Sequence, residues 1–206
     1  MAKGNGKGKG KGSAYEREKC RELSLWITEG QRDDLFWRSP TSGGRATSRA
    51  KKGLNTYGCY GDILCVDPDG LWLIPTTITV EIKKGYTTKL LFSDLIERPG
   101  AESLIHKFWQ KIKKESQRAN SLYPFLIFRR SFRNEMVLTD FGFTKLFRNF
   151  FRQVEIYITY KNDHEKLILF NYQDLLKLPS HQIKEAINAR LRTPPNCEIT
   201  NSLVGM

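Results

Sequence analysis

An α/β architecture, a mixed β-sheet flanked by helices, is what this sequence predicts, on three observations. Apolar residues recur at helical spacing near the N-terminus, again from Ala101 to Asn120, and once more from about Ser180 to Arg192. Between those stretches lie short runs rich in β-branched and aromatic residues, such as "TITVEIK" and "PFLIFRR". The order helix, strand, strand pair, helix, strand is the order of a layered sheet with helices against it. With 206 residues, 39% of them hydrophobic, the chain can bury a core of that kind.

The elements follow in turn. "MAKGNGKGKGKGSAY" holds Lys3, Lys7, Lys9 and Lys11 with no acid before Glu16, and its glycines oppose regular structure, so residues 1–13 read as a flexible cationic arm. From Ala14 to Gly30 the residues Tyr15, Cys20, Leu23, Leu25, Trp26 and Ile27 predict a helix, capped by Ser13 and ended by Gly30. "LFW" suggests a strand. The Gly-, Ser- and Thr-rich segment from Arg38 to Gly61 reads as a long loop that has no acid and carries Arg38, Arg45, Arg49, Lys51 and Lys52. "DILCVDPDGLWLIPTTITVEIK" contains two strand-like stretches about "DPDG", a hairpin on a first reading.

Leu104, Ile105, Phe108, Trp109 and Ile112 then form one stripe of a basic amphipathic helix, with Lys107, Lys111, Lys114 and Arg118 expected to turn away from it. "PFLIFRR" is a buried-type strand, "VEIYITYKNDHEKLILF" a second hairpin turning near Asn162 and Asp163, and a helix over about 180–192 precedes a tail at 193–206. A single domain over 14–192 is expected.

Lys plus Arg outnumber Asp plus Glu by 34 to 22, a formal charge of +12, which points to a polyanionic partner. No apolar run approaches the roughly 20 residues that span a bilayer, and no signal-peptide stretch opens the chain, so a cytoplasmic protein without a membrane partner is expected. Cys20, Cys59, Cys65 and Cys197 form no C-x-x-C pair, which argues against a zinc site or a disulfide framework.

The chemistry concentrates in "VEIKKGY". Val80 and Ile82 share one face of a strand while Glu81 and Lys83 share the other. A solvated charged face is the ordinary outcome for such a pattern. Asp62, at the start of the preceding strand, changes the reading, because in an antiparallel pair it would neighbour Glu81. Two carboxylates there could hold Mg2+, and Lys83 could orient an attacking water or offset charge on a phosphate. The register carries a condition. A tight "DPDG" hairpin would place Asp62 opposite Pro75; placing it opposite Glu81 requires residues 67–76 to bulge or make a longer excursion, with Pro75 as the breakpoint.

This D…E-x-K arrangement resembles the PD-(D/E)xK nuclease superfamily, and "KGSAYER" at 11–17 with "SPTSGG" at 39–44 resembles archaeal-type Holliday junction resolvases and their phage relatives. The likeness covers roughly Lys11 to Arg130. It implies a restriction-endonuclease-like core with a C-terminal hairpin and helix extension. It further implies Glu16 as an extra acidic ligand or proton acceptor, Ser42 as a loop hydroxyl near the scissile phosphate, Asp62 and Glu81 as metal ligands with the Ile82 carbonyl, and Lys83 as the catalytic lysine. Mg2+ would be the cofactor, with Mn2+ as a substitute.

Lys11, Arg17, Arg38, Arg45, Arg49, Lys51, Lys52 and Lys84 are the expected DNA contacts, and Gln117 a candidate from the second helix. The spacing of 20 between Ser42 and Asp62 is longer than the usual loop of these relatives. The expected activity is structure-selective hydrolysis of four-way junctions, by a homodimer whose contact could come from the second helix or "LFRNFF" at 146–151. A restriction- or repair-type nuclease of the same fold, or a non-catalytic basic nucleic-acid-binding protein, are the alternatives.

Overall fold

The computed structural model describes residues 6–40, 52, 60–86, 89–91, 93–97, 103–153, 156–161 and 165–192. Along the chain run α1 (Gly6–Ile27), β1 (Phe36–Arg38), β2 (Ile63–Cys65), β3 (Ile78–Lys84), the single turn α2 (Asp94–Glu97), α3 (Leu104–Ala119), β4 (Tyr123–Arg129), β5 (Glu135–Asp140), a 3-10 segment (Phe141–Gln153), β6 (Ile156–Lys161), β7 (Lys166–Asn171), α4 (Tyr172–Lys177) and α5 (Ser180–Arg192). Five strands form one mixed sheet in the order β3-β4-β5-β7-β6, with β3 and β4 parallel and the remaining neighbours antiparallel. The expected fold class is therefore the one observed, and the β6–β7 hairpin and the final helix lie where the sequence places them.

Alternation along the strands separates two apolar cores. Val80, Ile82, Phe125, Ile127, Val137, Ile168 and Phe170 face α1, the 3-10 segment, α4 and α5, where they meet Tyr15, Leu23, Phe143, Leu175 and Ile187. Leu126, Phe128, Leu138, Leu167 and Leu169 face α3 and pack on Ile105, Trp109 and Ile112. Ser103 caps α3 by accepting the His106 N–H, and Asn120 ends it in the left-handed region at φ 54°. Among the described residues no helix is long and apolar enough to cross a membrane.

Four expectations are corrected. The first helix starts at Gly6 and not at Ala14, so Ser13 lies inside it and residues 6–13 of the expected arm are helical; once Tyr15, Leu23 and Trp26 anchor the helix, each further residue adds a bond to an existing nucleus. β2 pairs with β1, through Phe36–Cys65, Trp37–Leu64 and Arg38–Ile63, and not with β3 in a hairpin. The "DPDG" stretch forms a short 3-10 turn that continues through residues 71–77, with Asp67 capping it; this is the longer excursion that the register of Asp62 required. Finally, Leu146 and Phe147 are buried in the first core and Leu104 and Phe108 pack on the second, so these positions are used inside the fold and not as an exposed dimer face.

Candidate active site

Asp62 is held where β2 meets the open edge of β3. Gly61 permits the approach: its φ is +71°, and a Cβ there would lie 2.3 Å from the Val80 carbonyl oxygen. The Asp62 N–H donates to that same oxygen at 2.7 Å, and the Ile82 N–H, the next donor on the β3 edge, donates to Asp62 Oδ2 at 2.7 Å. One main-chain bond and one through the side chain thus fix the carboxylate beside Glu81.

Glu81 points to the α3 face and is fully buried, so its charge is not a solvated one. Burial of a carboxylate is tolerated only with partners. Lys111 of α3 supplies them, its Nζ donating to Oε1 at 2.8 Å and Oε2 at 2.7 Å. Lys83 Nζ lies 2.5 Å from Glu81 Oε1 and 3.3 Å from Asp62 Oδ2, and donates to the Ile82 carbonyl at 2.9 Å. Three oxygens, from Asp62, Glu81 and Ile82, therefore converge on one ammonium group.

A second loop of contacts closes around them. Glu115, one turn beyond Lys111, lies 3.6 Å from its Nζ and accepts the Gly61 N–H at 2.6 Å. Helix α3 thereby holds both the residue before Asp62 and the carboxylate of Glu81. Sequence reasoning missed Lys111 and Glu115, reading Lys111 as turned away. Their i,i+4 spacing was visible, but what aims them inward is the closeness of α3 to the β3 edge.

The electrostatics follow from this packing. Burial, and then the Glu81 charge, raise the Asp62 carboxyl to about 6 against the opposing pull of Lys83 and the Ile82 N–H. Burial alone would lower the ammonium groups of Lys83 and Lys111. The carboxylates around them outweigh it, Asp62 and Glu81 for Lys83, Glu81 and Glu115 for Lys111, and both are raised.

Glu16 approaches from α1. Its carboxylate is ion-paired with Arg38 of β1, and burial, then Glu16 and Asp62, push the Cys20 thiol between them up to about 12. Arg38, expected on DNA, is thus engaged by Glu16. Among the described residues no group of three His, Cys, Asp or Glu side chains is arranged to hold a metal, and the Glu16 carboxylate is ion-paired with Arg38. Arg17 and Lys52 are exposed, and the Lys84 ammonium lies 4.6 Å over the Tyr15 ring. Gln117 is exposed and lines a groove with Trp109, Lys113 and Glu165 to which neither Asp62 nor Glu81 contributes. Ser42, Arg45, Arg49 and Lys51 lie outside the described residues, as does the side chain of Lys11.

The donor set fits a hard divalent cation. Two carboxylates and a carbonyl offer oxygen only, in a recess that already gathers a cation, the Lys83 ammonium, among those atoms. Over residues 7–185 the sequence matches the family described as "Phage putative PDDEXK endonuclease", a match that runs past Arg130 to take in the C-terminal hairpin, α4 and the start of α5. No curated protein matches it. Nucleases of this superfamily generally use divalent metals. The chain belongs to this phage PD-(D/E)xK endonuclease family.

Proposed function

We propose that the protein is a metal-dependent, structure-selective DNA endonuclease that hydrolyses phosphodiester bonds at four-way junctions and works as a homodimer. The observation that supports a catalytic reading is the convergence of Asp62 Oδ2, Glu81 Oε1 and the Ile82 carbonyl on the Lys83 ammonium, at 2.5 to 3.3 Å. A pure nucleic-acid binder has no use for two carboxylates buried together in a protein of charge +12. The junction substrate rests on the likeness of "KGSAYER" and "SPTSGG" to resolvases, and the dimer on the two symmetric incisions that a four-way junction needs.

Asp62, Glu81 and the Ile82 carbonyl would hold Mg2+, with Mn2+ as a substitute, and a divalent ion bound there supplies Lewis-acid polarisation of the phosphate and a more acidic water. Once its three oxygen partners are otherwise engaged, the Lys83 ammonium is free to hydrogen-bond the attacking water or the phosphate oxygen on which charge gathers. Lys111 and Glu115 keep Glu81 and the Asp62 backbone in register.

The test is cleavage of labelled four-way junction and linear duplex, with and without Mg2+. Paired incisions near the branch, lost without metal and lost in Asp62→Asn, are expected. Full activity in Asp62→Asn would sink the metal assignment, equal cutting of linear duplex the junction assignment, and monomer-only sedimentation with intact paired incision the dimer.

A further inference from the structure

The turn between β4 and β5 carries a side chain that the fold does not use. Phe132 is 100% exposed, against 62% or less for the other large exposed apolar residues among those described. Its backbone is left-handed at φ +59°, a region that residues with a Cβ rarely adopt. Neither burial nor backbone preference therefore favours phenylalanine here. The flanks are cationic, in the run "RRSFR". Arg129 lies 3.5 Å from Glu135, whereas among the described residues no carboxylate pairs with Arg130 or Arg133. The Arg133 N–H closes the turn on the Arg130 carbonyl at 3.2 Å.

The turn projects from the catalytic end of the sheet. β4 runs parallel to β3 with Lys83 opposite Phe128 and Lys84 opposite Arg129, and the Gly85 N–H donates to the Arg129 carbonyl at 2.9 Å. β4 ends at Arg129, one strand residue past the level of Lys83, and the chain reverses over 130–133, so Phe132 stands at the hairpin tip on the order of 10 Å from Lys83. That is roughly three base-pair steps of duplex, at about 3.4 Å each.

We propose that Phe132 is a base-stacking wedge for branched DNA, with Arg130 and Arg133 as its phosphate contacts. An aromatic face stacks on a base of any identity, so it reads no sequence. In continuous duplex each base is already covered by its neighbours, and insertion there requires unstacking. At the strand-exchange point of an open junction a base face is uncovered, so stacking there costs less unstacking than in continuous duplex. The wedge thus gives the site described above a means of preferring branched substrates, and it rests on that nuclease reading for the identity of the ligand.

The experiment reads binding by the full-length protein in EDTA, so that cleavage plays no part. The probes are a four-way junction with 2-aminopurine at the branch and a matched linear duplex. Phe132→Gly, which also suits the left-handed backbone, should weaken junction binding about tenfold and abolish the 2-aminopurine response, with less than about twofold effect on duplex. Phe132→Trp should retain both signals. Arg130→Gln with Arg133→Gln should weaken both DNAs and reduce the salt slope by about 1.8, near 0.9 per phosphate contact. Equal losses on both DNAs in Phe132→Gly, or an unchanged 2-aminopurine response, would overturn the wedge. So would altered sedimentation with intact DNA binding, which would assign the turn to a protein contact. A wild-type protein that binds junction through Phe132 yet cuts no DNA with Mg2+ would count against the nuclease reading alone.

Discussion

Two lysine–carboxylate networks lie on opposite faces of the same sheet, and they differ in what surrounds the ammonium. Lys19 of α1 is fully buried, with Glu22 at 2.6 Å, Glu135 at 2.7 Å and Glu18 at 3.4 Å, and with the rings of Tyr15 and Tyr172 at 5.0 and 4.5 Å. Every side of that cation is occupied by protein. Lys83 and Lys111 hold Asp62 and Glu81 by similar bonds, but their side chains are 18% and 48% exposed. The first network cannot exchange its cation without opening the core. The second can, because water reaches the ammonium groups and the carboxylates stay fixed by the β3 edge and α3. Identical chemistry is therefore closed off by packing in one place and open to water in the other, as the proposed metal site requires.

The largest effects that would break this contrast are opposite ones. Lys19→Met leaves Glu135 and Glu22 without their shared partner and should lower stability by about 3–5 kcal/mol in urea unfolding, while cleavage per folded molecule stays within about twofold. Asp62→Asn should reduce cleavage by at least about 10³-fold, some 4 kcal/mol on the barrier, without loss of stability. A site arranged for function holds a charge that folding alone would not choose. If Lys19→Met were thermodynamically silent, the closed network would have to be more than packing.

pH sharpens the same comparison. The Asp62 carboxyl is raised to about 6 from 3.8, so its contribution to stability is present below about 4 and is lost as pH rises through about 6. Wild type should therefore lose stability relative to Asp62→Asn between pH 4 and 7, read from urea midpoints at each pH. Cleavage runs the other way, since only the ionised carboxylate can hold a cation: the rate should fall by up to about tenfold per pH unit below about 6. A flat profile from pH 5 to 8 would remove Asp62 from the metal site.

Much of this was legible in the residues, and the misses share one physical origin. Strand alternation put Val80 and Ile82 in one core and Glu81 with Lys83 on the other side, because a period of two needs no tertiary knowledge. The charge pattern could not say that this other side is covered by α3, so Glu81 reads as exposed until the helix is placed. The excursion over 67–76 followed from asking what register Asp62 needs. The pairing of β2 with β1 did not, since three-residue strands carry too little pattern to choose a neighbour. β5 and α4 went unseen as well: "EMVLTD" and "YQDLLK" are only six residues each and carry too little pattern to stand out from their flanks. The helical start at Gly6 is a case of an anchored helix overriding the poor propensity of glycine.

The smallest predicted effect separates Lys111 from the other lysines of α3. Lys111 donates to both oxygens of Glu81 and lies beside Glu115, which holds the Gly61 N–H, so it would act on the proposed metal ligands through their positions. Supporting partners of this kind are worth about 10–100-fold in metal affinity. Lys111→Ala should weaken Mn2+ binding by that order, measured by calorimetry, while Lys114→Ala, exposed on the same helix, should leave it unchanged. A packing defect alone could lower affinity, and the pH profile distinguishes the two. The Lys111 charge lowers the Asp62 carboxyl. Without that charge the carboxyl keeps its proton to higher pH, so the acid limb of the cleavage profile should move upward. Lys111→Arg, which keeps the charge, should return the limb to its place even where its geometry restores affinity only in part. An acid limb that stays fixed in Lys111→Ala would make Lys111 a helix-surface lysine that happens to reach Glu81, and the distinction between the open and closed networks would then rest on Lys83 alone.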